Sequence, residues 1–239
     1  MKIKLLWIVS IAIFVGIVII LLFALNSFAK QEVKSHISEY LSSTLNLNEY
    51  PDVEIKGRFN IFSGYCEEVD ISVGSLEYGG FIFNEADIEL KELKFDPFDM
   101  LLNSEKVNVA ISEIMMKTVV SQDELNRFFV SRFPGLSIRL SGDEVITSGI
   151  LQISNEEFNF EFTGDIEISG ENIITLNPRN IIVEGYNLSG DAMNSILNNL
   201  SYDINFGQLP LDVKINRIFI YEGFMDVLWQ SEDIIIEIN

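Results

Sequence analysis

"EEVDISVGSLEYGGFIFNEADIELKELKF", residues 67–95, decides the fold class. Val69, Ile71 and Val73 alternate with Asp70 and Ser72. After the Gly79-Gly80 turn come Phe81 and Phe83, then Ala86, Ile88 and Leu90 with Asp87 and Glu89 between them. A period of two marks strands with one apolar and one polar face. The links are too short for crossover helices, so neighbouring strands run antiparallel.

The same alternation extends outward. Upstream, "DVEIKGRF" (52–59) alternates Val53, Ile55 and Gly57. Downstream, "KVNVAI" (106–111) alternates Val107, Val109 and Ile111. "SQDELNRFFVSRF" (121–133) then switches to a helical period. Ser121 and Glu124 have capping-box spacing, and Leu125, Phe128, Phe129 and Phe133 form an apolar side. Strand signals resume in "SIRL" (137–140), "EVITSGILQI" (144–153), "FNFEFTGDIEIS" (158–169) and "NIIVEG" (180–185). "GDAMNSILNNL" (190–200) predicts a further helix from the N-cap Asp191, with Met193, Ile196, Leu197 and Leu200 on one side. "LPLDVKINRIFIYEGFMDVLWQ" (209–230) predicts two strands joined at "YEGF". The chain thus reads as two loose halves, each a set of strands followed by a helix, with no Pro-, Gly- or Ser-rich linker between them.

Ahead of the first strand lies an amphipathic helix from Lys30 to Leu47. Val33, Ile37, Leu41 and Leu45 recur every four residues beside Lys34, Ser38 and Ser42, and "NEYP" (48–51) ends it. Before that, Leu5–Leu25 holds no charge and no proline. As a helix it spans about 32 Å, the thickness of a hydrocarbon core. The apolar region of a secretion signal is shorter, about 7–15 residues. Length therefore favours a permanent anchor over 1–29. Ser27 and Ala29, at −3 and −1 of a signal cleavage site before Lys30, favour a signal, and the protein is secreted if that bond is cut. With Lys2 and Lys4 ahead of the span and a large acidic region after it, the expected topology is a single pass in the cell membrane, N-terminus cytoplasmic and domain extracytoplasmic. Residues 30–239 are expected to form one α+β domain.

The 239 residues carry a formal net charge of −20, yet 48% are hydrophobic and Phe alone contributes 18. This is no disordered acidic tail. The charge argues against nucleic acid, whose phosphates it would repel, and against docking on anionic lipid by a polybasic patch. Cys66 is the only cysteine, so neither an intramolecular disulfide nor a lipoprotein-type attachment near the span is available. His36 is the only histidine and lies beside the span, so no His-based metal site or serine–histidine pair can form. No Gly-x-Ser-x-Gly elbow and no phosphate-binding glycine loop occurs. The acids Glu68, Asp70, Asp87, Glu89, Asp165 and Glu167 fall in the polar phase of strands and read as a solvated sheet face. "DPFD" (96–99) reads as a turn. No enzyme, cofactor or metal is expected.

Three stretches resemble the LmeA-like phospholipid-binding family of bacterial envelope proteins: "FSGYCEEVDISVGSLEYGGFIFNEADIELKELKF" (62–95), "VVSQDELNRFF" (119–129) and "LPLDVKINRIFIYEGFMDVLW" (209–229). The family belongs to the TULIP group of lipid-binding folds. The resemblance, over residues 30–238, implies a long curved antiparallel sheet wrapped around an amphipathic helix, with lipid between them. Acyl chains of a phospholipid would then lie among inward residues. These are Val33, Ile37 and Leu41 on the helix; Val69, Ile71, Val73, Ile88, Leu90, Val107 and Val109 on the strands; and Leu125, Phe128 and Phe129 on the second helix. The rival readings are an anchored domain with a closed core that binds protein through a strand edge, and a hydrolase using two carboxylates. Periodicity does not separate groove from core, because both use the same residue types.

Overall fold

The structure is a computed structural model. It describes residues 2–47, 49–101, 107–132, 135–142, 144–153, 156–187, 202–207 and 209–238. The helix expected over 190–200 lies outside the described residues.

The span and the amphipathic segment form one uninterrupted helix, α1 (Lys2–Thr44), 43 residues long. At about 1.5 Å per residue it reaches about 65 Å. Its character changes once. Between Val15 and Phe28 the large apolar side chains stand exposed, whereas Ala29, Val33, Ile37, Leu41 and Leu45 are buried. The four-residue spacing keeps that second set on one stripe of the helix.

The stripe faces a six-stranded antiparallel sheet. Its strands are β1 (Asp52–Asn60), β2 (Tyr65–Val73), β5 (Glu85–Phe95), β6 (Val107–Ser121), β14 (Phe224–Ile238) and β13 (Lys214–Tyr221), hydrogen-bonded in that order. The short hairpin β3 (Leu76–Tyr78)–β4 (Phe81–Phe83) projects from the end of β2. After β6 come α3 (Gln122–Arg132) and a second antiparallel sheet. This second sheet contains β7 (Ser137–Ser141), β8 (Glu144–Ile153), β9 (Glu156–Ile168) and β10 (Ile173–Val183). Beyond β10 lie β11 (Tyr186–Asn187) and β12 (Tyr202–Asn205), both paired with it. The last hairpin, β13–β14, then returns to the first sheet, with β14 beside β6 from Phe224↔Ser121 to Ile238↔Val107. The second sheet is thus an insertion between β6 and β13 rather than a second independent half.

The first sheet curls because four of its strands change inward phase at one level. In β2 the buried side chains run Cys66, then Val69; in β5, Leu90 then Leu93; in β6, Ile111 then Ile114. β14 passes from buried Trp229 to half-buried Ile234. The residues at the slip are Glu67, Glu92, Ser112 and Asp233, and they fall between matched pairs of the ladders. Glu92 and Asp233 adopt left-handed backbone there, with φ of 51° and 53°. β1 meets the same crease with an extra residue at Gly57–Arg58, where Gly57 has φ 62°. Gly57 therefore does not continue the alternation of Val53 and Ile55. Irregularities of this kind bend strands and increase their twist. Aligned across five strands, they curve the sheet around α1.

Three local expectations are corrected. "DPFD" does not end in a simple turn. Asp96 Oδ1 accepts the Phe98 amide at 2.8 Å and opens a short helix, α2 (Pro97–Leu101). The strand sensed at 180–185 begins at Ile173 and passes through Pro178, which is tolerated where the β9–β10 register shifts. At α3, the Ser121 hydroxyl accepts the Glu124 amide at 3.3 Å, but the Glu124 carboxylate does not return to Ser121. It accepts the Ile82 amide at 3.1 Å and pairs with Arg127, tying the β4 hairpin to α3.

The turn from β1 to β2 holds the end of the sheet nearest the span. Gly64 has φ 58°, its amide donates to Ile61 O and its carbonyl accepts the Phe95 amide. A Cβ at Gly64 would lie 1.8 Å from the Phe95 carbonyl oxygen. Gly64→Ala is expected to lower stability by about 2–3 kcal/mol, from the left-handed backbone and the forced displacement together. Urea unfolding of the full chain in mild detergent reads this as a lower midpoint.

Candidate functional site

Helix α1 is held against the edge strand β1 by polar side chains spaced along one side. Asn26 Nδ2 donates to Phe59 O at 3.4 Å, and the Ile61 amide donates to Asn26 Oδ1 at 3.2 Å. Lys30 Nζ donates to Ile55 O at 2.9 Å, and Ser38 Oγ to Pro51 O at 3.4 Å. An edge strand presents unpaired carbonyls, and covering it with a helix satisfies them. Toward β14 the contact is apolar, through half-buried Tyr40 and Ile236.

A cavity lies beneath this seam. Val33, Ile37, Tyr40 and Leu41 line it from α1; Ile71, Leu90, Leu93, Phe95 and Val109 line it from the curved sheet; Leu211 and Ile236 close it from the last segment. Its volume is about 20 Å³. That is room for about one water, but the wall is wholly apolar, so water has no partner there. The arrangement can hold hydrocarbon and has no group for acid–base or nucleophilic work.

The expected groove residues separate into three places. Val33, Ile37, Leu41, Ile71, Leu90 and Val109 meet around the cavity. Val69, Val73, Ile88 and Val107 are buried elsewhere along the sheet. Leu125, Phe128 and Phe129 lie on α3, in the same continuous core but away from the cavity. There Phe128 stacks on Phe81 at 4.3 Å between centroids, and Phe81 lies 4.8 Å from Phe206. Tyr40, Leu93, Phe95, Leu211 and Ile236 also line the cavity and are not among the expected residues. For Leu93 and Phe95 a signal existed, the break from period two after Leu90. For Ile236 none did, because only the β14–β6 pairing brings it to α1, and for Leu211 none did, because it sits on the Pro210–Asp212 turn that packs against β14.

The outer face of the sheet is charged. Lys56 pairs with Asp70; Lys91 lies 3.2 Å from both Glu89 and Glu113; Lys117 lies 2.9 Å from Asp226. A depression of about 430 Å³ opens there, bordered by Asp70, Asp87, Glu89 and Lys117. Met115, Met116 and Leu228 also line it, so its wall is in greater part apolar, but it is open to water and rimmed by charged groups, whereas the seam is enclosed by apolar side chains. Glu68, Asp70, Glu89 and Asp165 are half-buried, and Asp87 and Glu167 are exposed. Among the described residues no three or more His, Cys, Asp or Glu converge as metal ligands. Cys66 is fully buried, and burial pushes its thiol up to about 11, which leaves it protonated at neutral pH. Within α1, Val15–Thr44 is apolar and long enough for a candidate membrane span.

The model of the LmeA-like phospholipid-binding family matches residues 23–228. The match runs from the last residues of the apolar run, through β1 to β13, into the first residues of β14. No curated protein and no solved structure matches the chain. The chain belongs to the LmeA-like phospholipid-binding family.

Proposed function

We propose that this member of the LmeA-like family is a membrane-anchored, extracytoplasmic protein that takes phospholipid acyl chains into the seam between α1 and the curved sheet, for transfer or envelope assembly. The observation that carries this reading is the cavity under α1, where the helix stripe, three sheet strands and the last segment bring only apolar groups and one tyrosine together. At about 20 Å³ it admits no acyl chain as it stands. Lipid therefore enters by parting α1 from β14 and β6, and the chains replace the helix face they uncover. Releasing Val33, Ile37 and Leu41 costs about 1.5–3 kcal/mol each, and each buried methylene returns about 0.8 kcal/mol. On the order of ten methylenes offset the helix, fewer than one ordinary phospholipid chain supplies.

Retention of the anchor is supported by the same helix. Ser27, Phe28 and Ala29 lie inside an uninterrupted α-helix, Ala29 is 1% exposed, and its neighbours Asn26 and Lys30 bind β1. A peptidase needs this segment extended and free. Cutting after Ala29 would also remove the Asn26 pin.

Native mass spectrometry of the full chain tests the lipid site, after purification in detergent and incubation with phosphatidylglycerol and phosphatidylethanolamine. The expected result is a phospholipid adduct near unit stoichiometry that falls several-fold in Ile236→Trp, which fills the half-buried mouth of the seam. A bare mass, or an adduct indifferent to Ile236→Trp, rejects the site. The bare mass would leave an anchored interaction domain with a closed core.

A further inference from the structure

The end of the sheet from which the span departs carries two exposed phenylalanines that the seam does not use. Phe62 is 58% exposed on the Ile61–Ser63 turn, and Phe98 is 73% exposed on α2. Both are rigidly presented. The Asn60 side chain accepts the Phe62 amide at 3.0 Å, Asp96 accepts the Phe98 amide, and α2 packs against the Ile61–Ser63 turn. Buried Ile61 turns inward beside them.

Their height relative to the span is set by one side chain. Asn26 follows directly on the apolar run that ends at Leu25, about 1.5 Å further along the helix. Its amide group binds both Phe59 O and the Ile61 amide. The turn bearing Phe62 is therefore fixed level with the outer end of the hydrocarbon, not raised above it. Phe28, 60% exposed, stands at the same level on α1. Exposed aromatic side chains grouped at one end of a soluble region mark an interaction site, and the boundary between headgroups and acyl chains is where aromatic rings settle.

We infer that Phe62 and Phe98 form a membrane-docking tip that inserts into the leaflet where α1 emerges, seating the base of the curved sheet in the lipid interface. The insertion is apolar rather than electrostatic. Asp96 and Asp99 flank Phe98, and the chain is strongly acidic, so a zwitterionic leaflet suffices and anionic lipid adds nothing. The inference rests on the retained anchor of the proposed function, but not on any lipid in the seam.

Single cysteines at Phe62→Cys, Phe98→Cys, Phe23→Cys and Tyr186→Cys, each carrying an environment-sensitive fluorophore, test it in the full chain reconstituted into phosphatidylcholine vesicles. Cys66 stays in place, since it is buried and unreactive. Spin-labelled lipids with the quencher at the headgroup or at the chain end report depth, and iodide reports exposure to water. Phe23 marks the span, and Tyr186, 75% exposed on the second sheet, marks the solvated far region. The expected result is strong headgroup-level quenching at 62 and 98, with iodide quenching reduced several-fold relative to 186, unchanged when phosphatidylglycerol is added. If 62 and 98 behave like 186 while 23 is quenched by the spin-labelled lipids and shielded from iodide, the docking tip is wrong and the anchor stands. If 23 is also open to iodide, anchor and tip fall together. An unchanged far-ultraviolet circular dichroism spectrum and urea midpoint in each variant establish that the fold is intact.

Discussion

Trp229→Ala is expected to lower the unfolding free energy by about 4–5 kcal/mol, a large part of the roughly 5–15 kcal/mol available to a domain. Trp229 is 1% exposed and lies where the two sheets meet. Its ring stands edge-on to Phe83 at 6.4 Å and to Phe206 at 5.6 Å. Phe206 follows β12 of the second sheet, and its amide donates to Asn172 O. Removing the indole opens a cavity at this junction. It also strands a polar group, since Trp229 Nε1 donates to Thr118 Oγ1 at 2.9 Å and Thr118 is fully buried. Two further variants separate the effects. Trp229→Phe keeps most of the ring but orphans Thr118, at about 1–3 kcal/mol, and Thr118→Val orphans the indole N–H at a similar cost. The double variant is expected to cost less than the sum of the two, because both polar partners leave together. Urea titration of the full chain in detergent, followed by far-ultraviolet circular dichroism, reads all four. Strict additivity would mean that the hydrogen bond contributes nothing at the junction.

The elements that local chemistry dictates were legible in the sequence. The four-residue stripe Val33–Leu45 forms the buried face of α1, and Val69, Ile71, Val73, Ile88 and Leu90 face inward from their strands as period two requires. The YEGF hairpin forms where it was read. What escaped depends on pairing between distant segments. Nothing in "DIIIEI" (233–238) states that it lies beside "VNVAI" (107–111), 100 residues and more away, and without that pairing Ile236 has no place at the seam. The crease was visible in part, because Leu90 and Leu93, like Ile111 and Ile114, are three apart where a flat strand would place them two or four apart. Leu125, Phe128 and Phe129 were grouped with the groove because apolar period alone does not say which concavity a helix faces. The hairpin tie from Glu124 to the Ile82 amide places them at the other end of the sheet.

Tying α1 to β14 is expected to abolish phospholipid uptake while leaving the fold intact. Tyr40 borders the cavity from α1 and Ile236 from β14, and both are half-buried. With Tyr40→Cys and Ile236→Cys in one chain, a short bis-methanethiosulfonate bridges the helix to the strand, and a reductant releases it. If acyl chains occupy the seam only after α1 parts from β14, the bridged protein shows no adduct by native mass spectrometry and the reduced protein regains it. The bridge adds bulk as well as constraint, and a monofunctional methanethiosulfonate on the same two cysteines separates the two. It adds similar bulk without the tie, so uptake survives in that arm. Unchanged uptake in the bridged protein would place the lipid elsewhere and leave the seam as packed core. Loss in the bridged and the monofunctional arms alike would mean that the cavity is filled directly and that helix release is not the step. The physical basis for expecting release lies in the contrast between the two sides of α1. Toward β1 it is pinned by Asn26, Lys30 and Ser38 on carbonyls or amides of that strand and its flanks, whereas toward β14 it makes apolar contact alone. Hydrogen bonds are directional and are lost on small displacements, while an apolar face released from Ile236 can be re-covered by methylenes of a lipid at little net cost. On the proposed reading the helix hinges on its β1 side and opens toward β14.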